Sequence, residues 1–170
     1  VELSVEPEPE TKQLYEQVRT GELTPGAGPY GRSATVPQPP QKLDQEIRYF
    51  LTPDNVRIAY SVVGHGPPLV WAASFLRHLE FDWQSPIWQH WLEALASRYT
   101  LIRYDERACG LSDWDVPNIS FAAWVQDLEA LVEHLNLDRF CLLALSQAGA
   151  VAVAYAARYP DRLSHLILHG

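Results

Sequence analysis

Ser146 is the residue in this chain whose surroundings most plainly suit chemistry. It ends the apolar run Leu142-Leu143-Ala144-Leu145 and is followed at once by the alanine-rich stretch that starts Gln147-Ala148-Gly149. An apolar strand, a serine and then a helix form a sharp turn that lifts a hydroxyl to the carboxyl end of a sheet. In such a turn the backbone N–H of Gln147 points to the same place as the hydroxyl. It can hold a developing oxyanion, aided by the positive end of the helix that follows. The small residues Ala144, Ala148 and Gly149 would let helix and strand approach closely. The same serine also reads as a plain helix N-cap. A serine nucleophile needs a base held by a third group. Only 24 residues follow Ser146, so the acid and the histidine of a triad are expected outside this chain.

A second oxyanion donor is expected from the loop Ala73-Ser74-Phe75-Leu76-Arg77-His78, with the backbone N–H of Phe75 as the candidate and Ser74 beside it. The alternative is a plain connection with Phe75 as a wall. His78 is a candidate for lining the pocket. The other histidines carry blander readings. His65 lies in a turn, His90 and His134 lie on helices, and His165 and His169 fall in or at the end of a strand close after the serine. No pair has metal-ligand spacing, so no metal and no cofactor are expected. The polar stretch Asp105-Glu106-Arg107-Ala108-Cys109-Gly110-Leu111-Ser112-Asp113 reads either as catalytic carboxylates or as a self-bonded loop. In the favoured second reading, Asp105, Arg107, Ser112 and Asp113 hold one another.

Alternating strands and helices position these residues. Ile47 to Leu51 and Val56 to Val63 read as a hairpin around the turn Pro53-Asp54-Asn55. Leu69 to Ala73, Thr100 to Tyr104, Phe140 to Leu145 and Leu163 to Leu168 read as further strands. Between them, Ser85-Pro86 reads as a helix start, with Ile87, Trp88, Trp91, Leu92 and Leu95 at helical spacing. Ser120 caps a second helix, and Gln147 to Arg158 is a third. The fold class is α/β: a mostly parallel sheet with an N-terminal antiparallel hairpin and helices on both faces. The last strand is expected to leave an apolar edge.

Residues 1–45 differ in character. They hold seven of the thirteen prolines and four of the nine glycines. A short helix opening at Pro9-Glu10-Thr11, with Leu14, Tyr15 and Val18 on one side, is expected to stop near Gly21. A Pro- and Gly-rich linker follows. The expected division is residues 1–24, a linker over 25–45, and a domain over 46–170. The net charge of −8 argues against a nucleic-acid surface, which needs clustered Lys and Arg. No apolar run of membrane-spanning length occurs. Cys109 and Cys141 have no CxxC spacing and read as reduced, which suits the cytoplasm. The chain has no methionine and reads as an excerpt of a longer one.

These features together resemble the α/β-hydrolase superfamily. Tyr104-Asp105-Glu106-Arg107-Ala108-Cys109-Gly110-Leu111-Ser112-Asp113 is similar to its Y-D-x-R-G-x-G-x-S-D loop, and Ala144-Leu145-Ser146-Gln147-Ala148-Gly149 to its G-x-S-x-G-G elbow. Tyr159-Pro160-Asp161-Arg162-Leu163 matches the helix-to-strand phrase that ends the first half of that fold. The departures are Ala144 and Ala148 at two elbow glycines, Ala108 at a loop glycine, and Ala73-Ser74 where His-Gly is usual. The resemblance implies that residues 46–170 are the N-terminal half of a truncated α/β-hydrolase fold. Its missing C-terminal half would be the partner, and its ligand a small molecule. Ser146 would act on an ester, thioester or related acyl group, and the alternative is a ligand-sensing module without catalysis.

His78-Leu79-Glu80-Phe81-Asp82-Trp83 resembles hydrolase domains fused to bacterial regulators or cyclase-like proteins. More weakly, Pro7 to Leu23 resembles the last helix of a bacterial transcriptional activator domain. That implies a cytoplasmic regulatory fusion protein.

Overall fold

The computed structural model describes residues 9–20, 45–75 and 77–170. The chain divides into two compact units, Val1–Pro39 and Pro40–Gly170. In the first, helix α1 spans Pro9–Thr20, where the early proline and acidic residues suit a helix start. The linker expected over 25–45 falls almost wholly outside the described residues, as do the side chains of Leu14, Tyr15 and Val18.

The second unit is built on a six-stranded sheet. Its strands are β1 (Ile47–Leu51), β2 (Arg57–Val63), β3 (Pro68–Trp71), β4 (Thr100–Tyr104), β5 (Phe140–Leu145) and β6 (Leu163–His169). They lie in the order β1-β2-β4-β3-β5-β6. β1 pairs antiparallel with β2, and β2 antiparallel with β4; the β4–β3, β3–β5 and β5–β6 pairs are parallel. The hairpin turn is closed by Thr52 N–H to Val56 O and Asn55 N–H to Thr52 O, both 2.9 Å. Asn55 takes φ +63° there, a left-handed conformation that asparagine tolerates.

Side chains alternate across the pleat, and this divides the core in two. Ile58, Tyr60, Val70, Ile102, Tyr104, Leu142 and Ala144 face helices α4 (Phe121–His134) and α5 (Ala148–Arg158). There they meet Val125, Leu128, Leu131, Val151, Ala152 and Tyr155. Val63, Leu69, Trp71, Leu101, Cys141 and Leu143 face the other way, onto Leu92 and Ala96 of α3 (Gln89–Ala96). Fully burying each of the Val, Leu and Ile side chains among these stabilises the fold by about 1.5–3 kcal/mol. Ser120 caps α4 by accepting from Ala123 N–H at 3.2 Å. β6 stands at the sheet edge with Leu166, Ile167 and Leu168 exposed.

Two local differences from the sequence reading concern residues 79–89. A short helix, α2 (Leu79–Gln84), precedes the expected one, and α3 begins at Gln89 rather than at Ser85-Pro86. Ser85 caps a turn instead. Its Oγ accepts from Ile87 N–H at 3.3 Å and its carbonyl from Trp88 and Gln89 at 3.1 and 2.9 Å. A cap and a proline begin a single turn as readily as a helix, and Ile87 remains solvent-exposed.

Candidate active site

β5 delivers Ser146 to the carboxyl end of the parallel strands. Its φ is +50°, a strained conformation for a residue with a Cβ. The turn is anchored on both sides. Ser146 N–H donates to the His169 carbonyl at 2.8 Å, and Ser146 O accepts from Gly149 N–H at 2.9 Å. Gln147, not Ser146, is the residue at the N-cap of α5, with φ −51° and ψ −40°. Ser146 is exposed. Ala144 and Ala148 are buried, as close strand–helix packing requires. Gly149 is different: a Cβ there would meet nothing within 4 Å, so this glycine is not needed for close approach.

A cavity of about 340 Å³ opens at this turn, lined by Ser74, Phe75, Arg77, Trp88, Leu145, Ser146, Gln147, His169 and Gly170. It brings together Ser74, Phe75, Ser146 and Gln147, four of the residues singled out from sequence. The Phe75 N–H donates to Oε1 of Gln147 at 3.1 Å. His78 does not line this cavity. Its Nδ1 caps α2, accepting from Glu80 and Phe81 N–H at 3.2 and 3.4 Å, and its ring stacks on Phe81 at 4.2 Å. A roomier hollow of about 480 Å³ lies among Pro67, Pro68, Tyr99, Arg139, Cys141 and His165. It sits toward the amino ends of the parallel strands, whereas ligands of open α/β sheets bind outside the carboxyl ends.

Five further residues line the cavity at Ser146: Arg77, Trp88, Leu145, His169 and Gly170. From sequence Trp88 reads as part of a helix face, His169 as a strand end and Arg77 as part of a connection. Arg77 Nε donates to Asp82 Oδ2 at 2.9 Å, and Arg103 Nη2 reaches the same oxygen at 2.7 Å. The Arg77 Cζ lies 4.4 Å from the Trp71 ring centroid and 4.1 Å from that of Trp88, within cation–π range. Only the positions of Trp71 and Trp88 in a pattern of apolar residues hinted at such a clamp.

The polar loop after β4 is held by bonds within itself and to β2 and Leu79. Asp105 accepts from Leu79 N–H at 3.1 Å and Leu111 N–H at 2.9 Å. Ser112 Oγ donates to the Asp105 carbonyl at 2.6 Å and accepts from Ala59 N–H at 2.9 Å; Asp113 accepts from Arg57 N–H at 2.9 Å. The expectation that Arg107 joins these residues needs correction. Arg107 turns to partners outside the loop, Asp127 of α4 at 2.6 and 2.9 Å and Asp54 of the hairpin turn at 2.7 and 3.1 Å. Both Arg107 and Asp127 side chains are fully buried. A buried charge must be paired, and the fully buried Asp127 meets it from α4 while the partly exposed Asp54 meets it from the hairpin turn. Arg107 in turn holds the Asp54 carboxyl down at about 2.

Burial pushes the Glu106 carboxyl up to about 7, against the Cys109 thiol, which donates to Oε1 at 3.8 Å. Burial also raises the Cys141 thiol, which is free and sits in β5. Among the described residues no group of three His, Cys, Asp or Glu side chains is placed to hold a metal ion. No described helix is long and apolar enough to cross a membrane.

A six-stranded, mostly parallel sheet with an N-terminal antiparallel hairpin, turning into a helix at Ser146, defines a class. Residues 75–170 match the family described as the alpha/beta hydrolase fold, over half of the chain, and the chain belongs to it. Among curated relatives it is 31% identical over 127 residues to cis-3-alkyl-4-alkyloxetan-2-one decarboxylase of Shewanella oneidensis, covering 71% of this chain and 37% of that protein. It is 32% identical over 82 residues to the putative carbamate hydrolase RutD of Rhizobium rhizogenes, covering 48% of this chain and 31% of that protein. A solved hydrolase from Pseudomonas aeruginosa superposes with a TM-score of 0.64 at 27% identity, over 72% of this chain and 45% of that one. The chain thus spans less than half the length of each of these relatives.

Proposed function

We propose that residues 46–170 are the N-terminal half of a serine hydrolase domain acting on an ester, thioester or related acyl compound. The observation that carries this reading is the exposed Ser146 at φ +50°, opening onto a cavity at the carboxyl ends of the parallel strands. The Ser146 Oγ attacks the acyl carbon. Its proton passes to a histidine oriented by an acid, both supplied by the C-terminal half of the same domain. The backbone N–H groups of Gln147 and Phe75 hold the oxyanion. The tetrahedral adduct collapses, the alcohol or thiol leaves with the proton, and water then releases the acid from Ser146.

The partner of this segment is accordingly the C-terminal half of its own domain, and the ligand is a small molecule. The acidic chain takes no part in nucleic-acid binding, and the fold works in the cytoplasm without a membrane. Residues 1–24 form the end of a helical regulatory domain, joined through the linker over 25–45, so the hydrolase module serves a bacterial regulator.

One observation favours a second reading. The Gln147 side chain occupies the Phe75 N–H, as suits a pocket that binds a ligand without turning it over and signals to an attached regulator. A fluorophosphonate probe distinguishes the two. In the full-length protein, labelling mapped by mass spectrometry to Ser146, and lost in Ser146→Ala, supports the hydrolase. A folded protein that stays unlabelled overturns it in favour of the sensor.

A further inference from the structure

The cavity beside Ser146 contains an arginine that the proposed acyl chemistry does not use. Arg77 is held on three sides. Asp82 takes its Nε at 2.9 Å, and its guanidinium carbon lies 4.4 and 4.1 Å from the Trp71 and Trp88 rings. These contacts employ the inner nitrogen and the flat face of the group. The terminal nitrogens, Nη1 and Nη2, donate to no acceptor among the described residues.

The charges around Arg77 leave that end available. Asp82 answers two guanidinium groups, Arg77 and Arg103, through one oxygen. Asp105 is the next carboxylate, and its oxygens are committed to the N–H groups of Leu79 and Leu111. Among the described residues, no Asp or Glu side chain lines the cavity, and Arg77 is its one guanidinium. Trp88 and Phe75 supply apolar wall beside it.

We propose that this cavity takes acyl substrates carrying a second, anionic carboxylate, and that Arg77 anchors it through its terminal nitrogens. The proposal rests on Ser146 being the nucleophile. A guanidinium fork matches a carboxylate in two parallel hydrogen bonds, and the rings and Asp82 hold the fork in place before the ligand arrives, which lowers the cost of ordering it. Ser146 and Arg77 both line this cavity, so a substrate whose acyl carbon reaches Ser146 can present a second carboxylate to Arg77. In the reaction an acyl–oxygen bond to Ser146 forms as the ester bond breaks and the alcohol leaves. Water then frees a dicarboxylic acid.

The test compares two esters of equal chain length on the full-length protein: mono-p-nitrophenyl glutarate, which carries the carboxylate, and p-nitrophenyl pentanoate, which does not. The wild type favours the glutarate ester in kcat/KM. Arg77→Gln lowers that preference at least about tenfold, as loss of a charge-assisted hydrogen bond predicts, and Arg77→Lys restores part of it. Equal use of both esters, or a preference that survives Arg77→Gln, overturns the anchor while leaving Ser146 as nucleophile.

If neither ester is cleaved, the hydrolase reading fails separately, and binding decides the anchor. Glutarate titrated into the Ser146→Ala protein changes the tryptophan fluorescence of Trp71 and Trp88 saturably if Arg77 binds it. No saturable change overturns the proposal. Should Arg77→Gln not fold, inhibition of the wild type by glutarate but not by neutral glutaramide supports the anchor, and equal inhibition overturns it.

Discussion

The Phe75 amide donates to Oε1 of Gln147 at 3.1 Å, tying the loop after β3 to the residue that follows Ser146. One side chain thereby closes the strand-to-helix turn against the facing loop. It also occupies a backbone donor that an oxyanion would need. For the proposed chemistry, the Gln147 amide group must swing off Phe75 as the acyl carbonyl enters.

Gln147→Ala removes that competitor. The Phe75 amide should then lose protection, and its hydrogen exchange should quicken at least several-fold, read by exchange mass spectrometry. Labelling of Ser146 by the fluorophosphonate should rise a few-fold, since a competing hydrogen bond of about 1 kcal/mol is gone. A tenfold fall would show instead that the side chain orders the turn.

The buried pair of Arg107 and Asp127 joins α4 to the loop after β4. Arg107→Met leaves the Asp127 carboxylate buried without its partner and should cost about 3–5 kcal/mol. Adding Asp127→Leu should recover much of that loss, because the second charge is removed as well. Urea unfolding of the two single variants and the double variant measures the coupling. Strict additivity would show that the two side chains do not act as a pair.

Two neighbouring positions in the same loop take positive φ, Ala108 at +62° and Gly110 at +51°. Ala108→Gly should be neutral or stabilising by up to about 1 kcal/mol, because relief of left-handed strain exceeds the added freedom of the unfolded chain. Gly110→Ala should be clearly destabilising, since its Cβ would meet the Asp105 carboxylate. Thermal melts of the two variants should therefore shift in opposite senses or differ strongly in size.

Glu106 sets a pH dependence. Its folded value, about 7, lies above its ordinary value of 4.5 because burial disfavours the charged form. Between those values the folded chain keeps a proton that the unfolded chain has released. The stability tied to this group is therefore full below about pH 4.5 and lost as pH rises through about 7. Glu106→Gln should be more stable than the parent at pH 8, and the gap should close toward pH 5. Urea midpoints at pH 5, 6.5 and 8 check this. A constant gap would place the effect outside titration.

The periodicities of this chain determined its layers. Alternation in β2, β4 and β5 divides the two cores, and the helical spacing of Phe121, Trp124, Leu128, Leu131 and Leu135 places α4, although Phe121 itself stays exposed; the α/β class and the strand-to-helix turn at Ser146 thus follow from local pattern. Capping residues did less well at Ser85-Pro86, because a cap and a proline begin a turn as well as a helix. Arg107 was expected among its sequence neighbours, but it pairs with Asp127 across twenty positions of chain. Local sequence reports which residues can turn or cap. It does not report which distant carboxylate lies at the same depth.

The same distinction governs the cavity. Ser146, Gln147, Ser74 and Phe75 line it from the short connections that follow β5 and β3, which local pattern marks. Arg77 gains its meaning from Trp71 in β3, Trp88 before α3 and Asp82 in α2, three elements brought together only by packing on one face of the sheet. Strand order and register are long-range choices, made by burial across the whole sheet. They alone decided that a guanidinium would share a cavity with the serine, that His78 would cap a helix instead, and that the Gln147 side chain would reach Phe75.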